Sequence, residues 1–210
     1  MNILDSIDKF LPQYLSDVSG TEIKEQLKKF PVDGTKETVY TTMLSDHSEI
    51  FQGDGLTNIP YYDSFSQETR PANVIILSNT CDISLENSRF DSINLCIAPL
   101  FNLEKYQNYL LTKGFSKQQI DTHIDHIKKQ EITHVIYFPK NGKLTYDAIA
   151  RLDKVCSIDR RKISSEDVKK NRLFTLSDYG FYLFLLKISI HFTRIRERID
   201  RYAGNILPAY

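Results

Sequence analysis

Arg70-Pro71-Ala72-Asn73-Val74-Ile75-Ile76-Leu77-Ser78-Asn79-Thr80-Cys81-Asp82 is the stretch on which the fold turns. The apolar run Asn73–Leu77 reads as a buried strand, and it stops abruptly in small and polar residues. Ser78, Cys81 and Asp82 are thereby delivered to a strand end. Rigid strands that hand polar side chains to a loop are common places for a functional site.

Working outward, Ser92–Leu100 is a second strong strand, joined to the first by the polar segment Asp82–Asp91. Thr133–Phe138 reads as a strand, Pro139-Lys140-Asn141-Gly142 as a turn, Leu144–Ile149 as the next strand and Arg151–Ile158 as a further short one. Upstream, Glu49–Gly53 reads as the start of a strand, and 53–69, with Gly53, Gly55 and Pro60, as a long loop of functional interest. Three regions carry helical spacing. Residues 1–37 form a helical N-terminal appendage punctuated by Pro12 and Pro31. Residues 102–130 form a helical hairpin inserted between strands, with Ser116 as N-cap. Ser177–Ala203 forms a long helix capped by Ser177 or Asp178. The reading is therefore mainly β with helical additions (α+β), one domain over 38–210.

Composition narrows the function classes. A chain of 210 residues, 41% hydrophobic and 26% charged, is that of a globule large enough to bury a real core. Lys plus Arg number 27 and Asp plus Glu 27, so no global field recruits nucleic acid or an anionic membrane, which leaves only local basic patches. No stretch approaches the roughly 20 apolar residues of a membrane span, and Met1–Asp5 lacks a basic start and apolar run. Cys81, Cys96 and Cys156 are odd in number, far apart and without a CxxC, which reads as reduced cytoplasmic thiols. No phosphate-binding glycine loop, dinucleotide fingerprint, HExxH or serine-hydrolase elbow is present, so no cofactor is expected.

Two segments in order resemble one family. Arg70-Pro71-Ala72, the apolar strand, Ser78, a polar loop and Ile93-Asn94-Leu95-Cys96-Ile97-Ala98-Pro99-Leu100 resemble the core of the MazF/PemK-type bacterial toxins. Those proteins carry Arg-Pro-(Ala)-Val-Val-(Leu)-Ser and a second strand ending in a Val-Pro-type corner. Ala150-Arg151-Leu152-Asp153-Lys154-Val155-Cys156-Ser157-Ile158-Asp159-Arg160-Arg161 resembles that family's Asp-Gln-Ile-Arg-Thr-Val-Asp-Lys strand and turn, and Glu49–Leu56 resembles its opening strand. The likeness covers about 48–100 and 143–163. It implies a small SH3-like antiparallel barrel of five to seven strands, a homodimer, and metal-independent cleavage of single-stranded RNA within a toxin–antitoxin or phage-defence system, with an antitoxin as protein partner. In the family an Arg at the Arg-Pro position and a Thr or Ser just after the second strand's Pro serve cleavage. Arg70 matches the first, whereas Leu100-Phe101-Asn102 stands where the second belongs. The resemblance therefore carries a second expectation, an inactive barrel that binds a protein or ligand through the 53–69 and 82–91 loops.

Arg70 suits charge stabilisation on a phosphoryl group, and its bland alternative is an ion pair with Glu68 or Asp82. With Arg70, Ser78 and Asp82 complete the candidate catalytic set. Asp82 should cap loop amides or meet Arg70 on one rim. Cys81 reads either as a reactive thiol, with His47 or His134 as base, or as a packed loop brace; Asp82 beside it disfavours a thiolate. Arg151, Lys154, Arg160 and Arg161 form the best local basic cluster and would track an RNA backbone, with a solvated turn as the alternative. A zinc site from the three cysteines lacks paired ligand spacing. His123 and His126 lie three apart on a helix with no carboxylate motif to complete a site.

Overall fold

The computed structural model describes residues 39–87 and 90–193; the helical appendage read at 1–37 and the distal end of the C-terminal helix lie outside them. Eight strands follow in chain order: β1 (Tyr40–Thr41), β2 (Gly55–Asp63), β3 (Glu68–Ile76), β4 (Asn94–Asn102), β5 (Val135–Phe138), β6 (Ala148–Arg151), β7 (Cys156–Asp159) and β8 (Arg172–Leu176). Five α-helices accompany them among the described residues: α1 (Thr80–Ile83), α2 (Leu103–Thr112), α3 (Lys117–Lys128), α4 (Ser165–Asn171) and α5 (Asp178–Thr193). The strands form one sheet in the order β1-β8-β2-β3-β4-β6-β5, with β7 also on β4, and every ladder is antiparallel. The fold is thus α+β with a sheet-dominated core, and the sheet does not close on itself. Among the described residues no helix is long and apolar enough to cross a membrane.

The two strongest strand readings pair with each other, Val74 opposite Pro99 and Ile76 opposite Ile97. Period-two alternation sends their side chains to two separate cores. Ile75, Ala98 and Leu100 join Phe138, Phe174 and the apolar face of α5 on one side. Val74, Ile76, Leu95 and Ile97 join Leu56, Ile59, Ile83 and Val168 on the other. β4 is long enough to carry two partners along one edge, β7 opposite Asn94–Ile97 and β6 opposite Leu100–Asn102. Between them a 3-10 turn at Leu152–Lys154 breaks the strand read at 151–158 into two.

The segment 53–69 is not a loop. It holds β2 and the tight turn to β3, with Gly55 opposite Ile75 and Asp63 opposite Glu68, and the short strand expected at Glu49–Gly53 is irregular instead. A register shift between Leu56 and Ile59, with Asn58 at φ 57°, interrupts the alternation that would have announced the strand. Pro60 lies opposite Pro71. Neither breaks a ladder, because β8 pairs β2 only at Gly55 and Leu56, and β4 pairs β3 only from Val74.

The helical insert matches its reading. Ser116 caps α3 in a reciprocal box with Gln119. Ile120, Ile124 and Ile127 pack with Leu103 against Val135 and Ile149. Past α3, the buried Gln130 side chain donates to the Tyr137 carbonyl and accepts from its N–H, which covers the open edge of β5.

At the other end of the sheet the Ser177 hydroxyl accepts from the Gly180 N–H and starts α5. The Val39 carbonyl accepts from the Ser177 N–H at 3.0 Å, and a Cβ on Gly180 would lie 2.1 Å from that same oxygen. Gly180→Ala is expected to cost on the order of 1–3 kcal/mol, because the backbone it strikes is pinned. Urea denaturation of the variant checks this; unchanged stability would mean that α5 does not seat against Val39.

Candidate functional site

The catalytic set read from the sequence does not assemble. Arg70 lies within β3, half exposed, and donates to the Asp63 carboxylate at 3.0 Å. Five residues of strand lie between it and Ile76, a span of about 20 Å of extended chain. Ser78 and Asp82 lie past that far end. The Ser78 hydroxyl accepts from the Cys96 N–H at 2.7 Å, so it ties the end of β3 to β4. Asn79 caps α1, its side chain accepting from the Cys81 N–H. Asp82 sits exposed on α1, its own N–H donating to the Asn79 carbonyl.

The thiols are also apart. Cys81 is exposed, whereas Cys96 and Cys156 face opposite cores, since Cys96 opposes Ser157 and Ile97 opposes Cys156 across the ladder. Burial pushes both the Cys96 and Cys156 thiols up, away from thiolate character. The three cannot converge on one ion. His123 is engaged with the Tyr106 hydroxyl at 3.1 Å, and His126 approaches Glu131 instead.

The basic cluster splits by burial. Arg151 is held by both oxygens of Asp153, and Arg161 by both oxygens of Asp159; their partners draw the Asp153 carboxyl down and the Asp159 carboxyl down to about 2. Lys154 lies in the 3-10 turn. Arg160 is different. It is 3% exposed, its Nη1 donates to the Ile163 carbonyl, and its Nε has no hydrogen-bond partner among the described residues.

Arg160 lines a cleft of about 280 Å³ whose walls are the 48–51 segment, Thr80, the Ile83–Glu86 segment and Ser165 at the start of α4. The Thr80 hydroxyl oxygen accepts from the Gln52 N–H at 2.9 Å, and Ser84 accepts from the Glu86 N–H at 3.3 Å. Ile50 and Ile83 supply an apolar floor. The stretch that decides the fold therefore contributes Thr80 to the wall of this cleft.

Behind the 48–51 wall lies a buried ion pair that sequence reasoning missed, and it holds the loop leading into that wall. Asp54 and Arg172 are buried, and the guanidinium donates to Asp54 Oδ2 at 3.0 and 3.2 Å. Asp54 also accepts from the Phe51 N–H and the Thr175 hydroxyl. Burial pushes the Asp54 carboxyl up, while the guanidinium and these donors pull it back toward the charged form. The remaining N–H groups of Arg172 bond the carbonyls of Leu44, Ser45, His47 and Glu49, which fixes the loop carrying Ser48–Phe51. Two residues 118 apart in sequence leave no local spacing to find. Compared with known proteins, the chain matches no family model and no curated sequence.

Proposed function

We propose that the chain is a binding module on a PemK-like scaffold, which engages its ligand through the cleft beside Arg160 and lacks the toxins' hydrolytic site. One observation carries this reading: Arg70 and the Ser78–Asp82 corner lie at opposite ends of β3, while Thr80 of that corner and the Ile83–Glu86 segment after it line a cleft with Arg160. A nuclease needs its charge-stabilising and proton-moving groups around one phosphate. The position after Pro99, where the family places a hydroxyl, is Leu100, a buried core side chain. An SH3-like barrel as the scaffold is supported by the Tyr61 hydroxyl of β2 donating to the Lys154 carbonyl between β6 and β7, which ties β2 to that turn across the bent sheet.

A toxin-like, metal-independent endoribonuclease paired with an antitoxin is the second reading, favoured by the accessible Arg70 guanidinium. Incubating the full chain with a mixed RNA pool in EDTA separates the two. The binding module leaves the pool intact, and Arg70→Ala behaves as wild type. Cleavage that disappears in Arg70→Ala, an exposed and structurally harmless change, overturns the module in favour of the nuclease.

A further inference from the structure

Resting on the binding-module reading, we infer that the cleft beside Arg160 takes a small organic anion bearing a single oxyanion head, a carboxylate or a phosphate monoester. Two guanidinium groups are buried among the described residues. Arg172 has its carboxylate in Asp54; Arg160 forms no ion pair among the described residues and keeps an unpartnered Nε. A buried cation without a counter-ion is costly to maintain, and a planar guanidinium fork matches an oxyanion better than it matches a lone carbonyl. Burial already draws the Arg160 guanidinium down.

The rest of the cleft presents donors. The Thr80 and Ser84 oxygens each accept a backbone N–H, so each hydroxyl retains its proton to give. Phe51, Ile83 and Leu85 offer apolar surface to the body of a ligand. Glu49 and Glu86, exposed at the rim, set the charge limit. They repel a polyanion such as RNA while leaving room for one charge at Arg160.

The test titrates the full chain at low ionic strength with inorganic phosphate and, separately, with benzoate, reading melting temperature and calorimetric heat. At least one of them should bind saturably, at Kd on the order of 1 mM or tighter, and Arg160→Gln should abolish it. Phosphate alone or benzoate alone identifies the head group, and either supports the inference. If Arg160→Gln does not fold, the exposed rim decides: Glu86→Gln should tighten binding about threefold by removing a like charge, while Glu131→Gln, on the distant α3–β5 connection, should not. No saturable binding of either anion up to about 20 mM, or binding that survives in a folded Arg160→Gln protein, overturns it. In that event an uncut RNA pool leaves the binding module standing for an uncharged ligand, whereas Arg70-dependent cleavage removes the module itself.

Discussion

Replacing Arg172 by alanine is expected to destabilise the protein by about 3–5 kcal/mol, since it strands the buried Asp54 carboxylate without its counter-charge. For a chain of this size that is a fall in melting temperature of roughly 10 °C. Asp54→Ala should cost a similar amount by the converse route, leaving the guanidinium with carbonyls alone. The two residues share one network, with Asp54 Oδ2 taking both Nε and Nη2 of Arg172. The double variant Asp54→Ala/Arg172→Ala should therefore lose clearly less than the sum of the single changes. Denaturant unfolding of all three proteins gives the coupling. Strict additivity would mean that the pair does not act as a unit, and that the 44–51 wall is held by something else. Because Arg172 also grips the Leu44, Ser45, His47 and Glu49 carbonyls, a partly folded Arg172 variant should loosen that wall before the β3–β4 ladder, visible as early amide exchange over 44–51.

What the sequence made legible follows from where each signal is local. β3, β4 and β5 are short apolar runs between polar segments, and α3 carries its own capping box at Ser116 and Gln119, so residues within four positions decide each element. β2 was hidden because its alternation is broken at Asn58 and carries Pro60, two features that ordinarily mark loops. β8, Arg172-Leu173-Phe174-Thr175-Leu176, begins with a charge whose partner is Asp54, a match made only by tertiary packing. Arg160 illustrates the same limit at the site. In Arg160-Arg161-Lys162 every residue reads as a solvated cation, yet Arg161 is largely exposed and Arg160 is buried. The one available cue was period two along β7, which puts Cys156, Ile158 and Arg160 on a common face; a basic residue at the end of an apolar row is weak grounds for burial. The corner Ser78–Asp82 lies at a strand end as its composition indicates, and there Ser78 braces β4, Asn79 caps α1 and Thr80 lines the cleft, with Ser84 just beyond it.

The stability of the protein relative to a Lys187→Met variant is expected to rise by about 2 kcal/mol between pH 7 and pH 9. Lys187, in α5, is 1% exposed, and its ammonium donates to the Gln130 and Ile132 carbonyls at 2.7 and 2.6 Å. Burial drives its pKa down to about 7 from an ordinary 10.5. In the unfolded chain the amine keeps its proton up to that ordinary value, so between the two pKa values the unfolded state binds more protons than the native state. Stability contributed by this residue accordingly climbs as pH rises through 7, levels off above 10.5, and is at its lowest below 7, where the charge is buried in full. Methionine removes the titration and fills similar space, but it leaves two carbonyls without their donor, a loss of about 1–3 kcal/mol that does not depend on pH. The sign of the difference at any one pH is thus set by two opposed terms, and the slope isolates the lysine. His134, whose pKa burial also lowers, titrates below this window; the raised thiols of Cys96 and Cys156 are common to both proteins and cancel. Paired urea titrations at pH 7, 8 and 9 measure the slope. A flat difference would mean that Lys187 stays charged in the fold, with its two carbonyl bonds outweighing the cost of burial.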